Sequence, residues 1–143
     1  MATGGWDQGD AIARIECSFE SRLEIAHAVT VPSARMGIYH AVRALVPPKK
    51  QVILSPYTIF DVVNMVICAG AVPVFADIDE ETCNVDPAEI ERLIGPQTGA
   101  VLVTHLHGLA CDMNRIQAIC SRHRVPLIED AAQAYGTFYE GRP

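Results

Sequence analysis

The sequence predicts an α/β domain: a parallel sheet with helices on both faces. Three observations predict it. Residues 51–55, 72–76, 100–104 and 125–128 are short runs with almost no polar side chain, as in strands buried on both faces. Stretches with helical spacing of apolar residues, such as Ile38, Ala41, Val42 and Leu45, lie between those runs. The runs end at Ser55, Asp77, His105 and Glu129-Asp130. Polar groups thus collect at the carboxyl ends of the strands, where open α/β sheets bind ligands.

The elements follow in order. Residues 1–10 are polar and read as a flexible lead-in, and residues 11–31 show no clear period. Ser33 is a candidate N-cap for a helix closed by Pro47-Pro48. The first strand stops at Pro56, and a helix over 58–69 follows, with Gly70 suited to its C-terminal cap. After the second strand, Asp86-Pro87 opens a helix reaching about residue 94, proline fitting its first turn. The third strand leads through His105 to a helix over 112–123, opened by Asp112, and then to the fourth strand. Residues 1–31 form a lead-in segment and 32–143 a partial large domain.

A length of 143 residues suits one domain. The formal charge of -6, with Lys49-Lys50 as the single basic pair, argues against a nucleic-acid partner. Five cysteines, Cys17, Cys68, Cys83, Cys111 and Cys120, are irregularly spaced without a CxxC. That fits buried thiols in a reduced, cytoplasmic protein, with Cys68 and Cys120 as small core residues. The first residues lack the basic start and apolar run of a signal peptide, and no stretch reaches the roughly 18 apolar residues of a membrane span. No GxGxxG or P-loop is present. His105 and His107 are spaced as a ligand pair with no evident third ligand, so both read as loop residues near a site rather than a metal centre.

Several segments together carry a resemblance. Gly70-Ala71-Val72-Pro73-Val74-Phe75-Ala76-Asp77-Ile78-Asp79, Thr82-Cys83-Asn84-Val85-Asp86-Pro87, the stretch from Thr98 through His105 and Gly108 to Asp112-Met113, and Glu129-Asp130-Ala131-Ala132-Gln133-Ala134-Tyr135-Gly136 occur in this order. From about Pro32 to Pro143 the chain resembles the DegT/DnrJ/EryC1/StrS family of sugar aminotransferases. The resemblance implies the N-terminal portion of the large domain of the fold type I enzymes that use pyridoxal 5'-phosphate (PLP).

Each site residue carries a reading of its own beside the implied one. The resemblance implies that Asp130 faces the pyridine nitrogen and stabilises its charged form; on local grounds it could instead cap the next turn. Gln133 is implied to approach the cofactor's phenolic oxygen, as an N–H donor; otherwise it is a solvated amide. Ser33-Ala34-Arg35 stands where the family often has Ser-Gly-Thr, and free N–H groups of Ala34 and Arg35 at a helix start suit the PLP phosphate. Thr58-Ile59-Phe60 matches the segment whose aromatic ring covers the cofactor: Ile59 occupies that position, with Phe60 next to it, and core packing is the alternative for Phe60. Asp77 and Asp112 read as turn and cap residues.

The family's Schiff-base lysine lies beyond the residues that match, and Lys49 and Lys50 precede the first strand, at the wrong end of the sheet. The expectation is that the 143 residues alone do not transaminate. The resemblance implies a nucleotide-sugar substrate, an amino-acid donor, and a homodimer or a complementing C-terminal fragment. Competing readings are a non-catalytic protein that binds PLP or a nucleotide-sugar, and a related dehydratase.

Overall fold

Four short, largely apolar runs pair side by side. In the computed structural model, which describes residues 9–143, they are β1 (Gln51–Leu54), β2 (Val72–Phe75), β3 (Thr98–Thr104) and β4 (Leu127–Asp130). The order across the sheet is β2-β1-β3-β4, and every pairing is parallel. The helices are α1 (Ala11–Leu23), α2 (Ala34–Leu45), α3 (Phe60–Cys68), α4 (Pro87–Leu93) and α5 (Met113–His123), with a short 3-10 turn at Leu106–Gly108. The lead-in at residues 1–8 lies outside the described residues.

Strand alternation divides the core into two layers. Val52, Leu54, Ala100, Leu102 and Ile128 pack on Ile38 and Val42 of α2 and on Val62 and Val66 of α3. Ile53, Val101 and Val103 point the other way, onto Ile90 of α4 and Ile116, Ile119 and Cys120 of α5. Large aliphatic side chains buried as completely as Ile53, Leu54 and Leu102 each contribute about 1.5–3 kcal/mol.

The punctuation residues act largely as their chemistry dictates. Asp86 accepts from Ala88 N at 2.8 Å with Pro87 in the first turn, and Asp112 accepts from Arg115 N at 3.3 Å. Gly70, at φ +85, terminates α3, where Ala71 N donates to Val66 O. Asp79 Oδ1 accepts from the main-chain N–H groups of Glu81 and Thr82 and from the Thr82 hydroxyl, folding the turn before Asn84. At the start of β3 the register shifts against β1, between Gln51 and Val52, leaving Gly99 without a partner.

Several expectations are corrected. β2 is not buried: Val72 and Phe75 are half exposed, because the strand sits at the sheet edge, where Pro73 is also tolerated. Cys68 is exposed rather than in the core, since α3 turns Val62 and Val66 inward and residue 68 lies off that stripe; Cys120 is buried. Ser33 occupies the N-cap position with extended backbone, but its carbonyl, not its hydroxyl, receives the Met36 and Gly37 N–H groups. The helix expected from residue 58 begins at Phe60, because Ser55 Oγ accepts from Tyr57 N and folds residues 55–59 into a turn. Residues 11–23, without a legible period, form α1, which buries no residue and touches the body through Phe19 and Arg22 on Tyr135. Glu16 and Glu20 then strap the following segment to α1, accepting from Thr30 and Ala28.

Candidate functional site

Register decides which face each strand-end residue serves. Leu102 pairs with Ile128 and Thr104 with Asp130. Partners in register share a face, and residues two apart on a strand share one as well. Asp130 and Thr104 therefore stand on the α2/α3 side of the sheet, just beyond the core layer that holds Leu102 and Ile128. Asp130 is 8% exposed, and its Oδ1 accepts from Ala132 N at 3.1 Å. It thus caps the next turn and, through its second oxygen, can also receive a ligand's proton.

Two further groups of contacts lie at the same end. Thr104 Oγ1 meets Thr58 Oγ1 at 3.2 Å, tying the β1–α3 turn to the end of β3. The first turns of α2 and α3 are joined by Arg35 Nη1 and Asp61 Oδ2 at 2.7 Å, with both side chains partly exposed. Ala34 and Arg35 begin α2, so their N–H groups precede the first main-chain bonds of the helix. Ile59 and Phe60 lie at the start of α3 at 60% and 77% exposure, so neither packs in the core of the described residues. Gln133 is exposed, and its Oε1 accepts from His107 N at 3.0 Å. His107 lies in the turn after β3, its ring 6.2 Å from that of Tyr57.

His105 is the loop residue expected after β3, its N–H bonded to Asp130 O, but its side chain turns to the other face of the sheet. It is buried, and its Nε2 lies 3.3 Å from Glu129 Oε2. Glu129 pairs with Val103, hence faces the α4/α5 side. There His105 and Glu129 line a second concavity of about 580 Å³, together with Phe19, Arg22, Tyr135 and Phe138. The Cys111 side chain and the Glu129 carboxylate favour a charged His105 ring, and burial opposes it. Two contacts nevertheless favour the neutral ring. The Cys111 N–H donates to Nδ1 at 3.1 Å, which requires a lone pair there, and the Cys111 thiol turns away to Thr104 O. The proton belongs on Nε2, facing Glu129.

Sequence reasoning gave no role to Asn84, Asp61 or Thr104. Asn84 is buried; its Oδ1 accepts from Leu106 N and its Nδ2 donates to Leu109 O. Its signal lay in the segment Thr82-Cys83-Asn84-Val85-Asp86-Pro87, where Thr82 folds a turn, Asn84 clamps a loop and Asp86 caps a helix.

A parallel sheet covered by helices, with a buried carboxylate, a side-chain amide and a helix start at its carboxyl end, defines an α/β domain of the class that binds ligands at that edge. The description "DegT/DnrJ/EryC1/StrS aminotransferase family" matches over residues 1–143. The chain belongs to that family. It is similar to the spore coat polysaccharide biosynthesis protein SpsC of Bacillus subtilis (strain 168), 39% identical over 140 residues, covering 96% of this chain and 36% of that protein. GDP-perosamine synthase of Vibrio cholerae is 36% identical over 141 residues, with 96% and 38% covered. The crystal structure of S. venezuelae DesV in complex with a ketimine intermediate superposes with a TM-score of 0.90 at 35% identity, over 94% of this chain and 36% of that one. NtdA from Bacillus subtilis with bound cofactor PMP gives 0.89 at 30%, over 94% and 31%. The chain thus spans about a third of the length of these relatives, and its fold is the N-terminal portion of the large domain of the PLP aminotransferases.

Proposed function

We propose that residues 32–143 form the cofactor-holding part of a PLP-dependent aminotransferase that moves an amino group from an amino acid to a keto-sugar nucleotide, with residues 1–31 leading into it. One observation carries the reading: Asp130, buried at the end of β4, stands on the face of the sheet covered by α2 and α3. The residues present fit the group. A nearly buried carboxylate with one oxygen engaged by Ala132 N–H suits a protonated ring nitrogen, and the N–H groups of Ala34 and Arg35 suit a phosphate.

Bound PLP would supply an electron sink for breaking bonds at the amino carbon. Asp130 would hold the proton on the ring nitrogen. Gln133 would donate to the phenolic oxygen. Ala34 and Arg35 would grip the phosphate, and Ile59 or Phe60 would cover one side of the ring. In a complete enzyme we expect a homodimer in the cytoplasm; no helix of the described residues is long and apolar enough to cross a membrane. Both lysines of the sequence lie at the opposite end of the sheet, Lys50 reaching Pro96 O with its Nζ. The described residues therefore supply a cradle without the amine that would hold PLP covalently.

The test is a titration of the purified protein with pyridoxamine 5'-phosphate, followed by its absorption and fluorescence. Asp130→Asn keeps an acceptor for Ala132 N–H and loses the charge, so the fold should stand while affinity falls at least about tenfold, one to two pKa units of lost ring stabilisation. Equal binding by the variant would refute the role of Asp130. Absence of binding by the natural sequence would refute the cofactor site.

A further inference from the structure

We infer that the main-chain N–H of His107, aimed by Asn84, is the device that makes Gln133 present a donor rather than an acceptor to its ligand. The inference rests on the PLP reading above for the identity of that ligand, and on geometry alone for the device.

A glutamine amide has an acceptor branch and a donor branch, and an exposed one can turn either end outward. His107 N–H can only donate. Standing 3.0 Å from the Gln133 amide, it fixes Oε1 on its own side and leaves the NH₂ group on the other branch. A phenolate oxygen of a cofactor accepts only, so this is the orientation that fits it. Without the His107 N–H, half of the orientations would set two acceptors against each other.

His107 does not aim its N–H by its own preference. Its φ of +55 and ψ of +24 lie in the left-handed region, which side chains other than glycine seldom adopt. The residues around it impose that conformation. Asn84, buried beneath the loop, accepts from Leu106 N at 3.1 Å and donates to Leu109 O at 3.0 Å, so it clamps the chain on both sides of His107. Leu109 N closes the turn onto Leu106 O at 2.8 Å. Thr137 Oγ1 donates to Gly108 O at 2.9 Å, binding the same loop to the segment that carries Gln133. Asn84 thus acts as a positioning residue through two main-chain contacts, without touching the ligand itself. The imidazole of His107 takes no part in the device.

The inference makes the main-chain N–H at position 107 essential and the side chain dispensable, and two readouts test that. The first uses the protein without cofactor: hydrogen exchange of the residue-107 amide by NMR, which fold stability alone does not govern. Gln133→Ala should speed that exchange at least about tenfold. His107→Gly should keep it slow, and Asn84→Ser should speed it while the strand amides stay protected. Unchanged exchange in Gln133→Ala would overturn the inference. The second readout is the absorption band of pyridoxamine 5'-phosphate bound to the same proteins. His107→Gly should keep the natural band and affinity, whereas Asn84→Ser and Thr137→Val should shift the band and weaken binding severalfold. A natural band in Asn84→Ser, or its loss in His107→Gly, would overturn the inference. Should the Asn84 variant not fold, Thr137→Val, at a loop surface, decides the same point. If the natural protein takes up no pyridoxamine 5'-phosphate, the PLP reading fails, and the amide-exchange result still decides whether the device exists.

Discussion

Gly99→Ala is a demanding test of how β1 and β3 are held. A Cβ at Gly99 would stand 2.6 Å from Val46 Cγ1, 2.9 Å from Lys50 Cβ and 3.3 Å from Gln51 O. Val46 belongs to the α2/α3 core layer, and Lys50 Cβ and Gln51 O are fixed by the backbone at the start of β1, so little can give way. Forcing a methyl into such a contact costs about 1–3 kcal/mol. At this chain length that lowers Tm by roughly 3–10 °C. Thermal unfolding followed by circular dichroism is the assay. Gly95→Ala is the control with the opposite sign: a Cβ there meets nothing within 4 Å, so the substitution should be neutral or stabilise by about 0.4–1 kcal/mol. Val46→Ala removes the nearest obstacle, and the double variant should be less destabilised than the two single changes add up to, by about 1 kcal/mol. Strict additivity, or a Gly99→Ala protein as stable as the natural one, would refute the close approach of Gly99 to Val46 and the start of β1.

Other outcomes follow from the same contacts. Two bonds from Thr30 lower the pKa of Glu16, the main-chain one most, so the strap is held above the ordinary value of 4.5 and lost as pH falls through the depressed one. Hydrogen exchange, corrected for intrinsic rates, should show Thr30 protected at pH 7 and released once pH falls through the depressed Glu16 pKa, and released throughout in Glu16→Ala. The ¹⁵N shifts of the His105 ring should report a proton on Nε2 alone between pH 6 and 8; a doubly protonated ring at pH 7.5 would refute the neutral form. Asp61→Asn removes a carboxylate that competes for Arg35. It should raise affinity for inorganic phosphate severalfold in a calorimetric titration, and because the ion pair is exposed it should change stability by less than about 1 kcal/mol.

What could be read from the sequence was what local chemistry determines. Apolar runs became strands, and Asp86, Pro87, Asp112 and Gly70 acted at the ends they marked. That polar groups gather at the end of β4 was legible from the acids that follow Leu127-Ile128; the choice of Asp130 over Glu129 rested on the resemblance. What could not be read depends on partners distant in sequence. The exposure of β2 follows from its place at the edge, which strand order alone decides. Nothing in the neighbours of Asn84 says that it clamps Leu106 and Leu109, and nothing near Arg35 says that Asp61 holds it. α1 escaped because its stripe, with Ile12 and Ile15 exposed, packs on no core in this chain.

The opposite facing of Glu129 and Asp130 makes the end of β4 unusually sensitive to chain length. Two carboxylates stand side by side, Asp130 on the α2/α3 face and Glu129 on the His105 face. A slip of one residue between β3 and β4 would leave an acid on each face but exchange their lengths, placing Glu129 where Asp130 belongs and Asp130 opposite His105. It would also move Ile128 from the α2/α3 core layer to the α4/α5 layer. An inserted or deleted residue within 125–128 should therefore harm the site more than any single replacement at those positions, because it moves the charges without removing them.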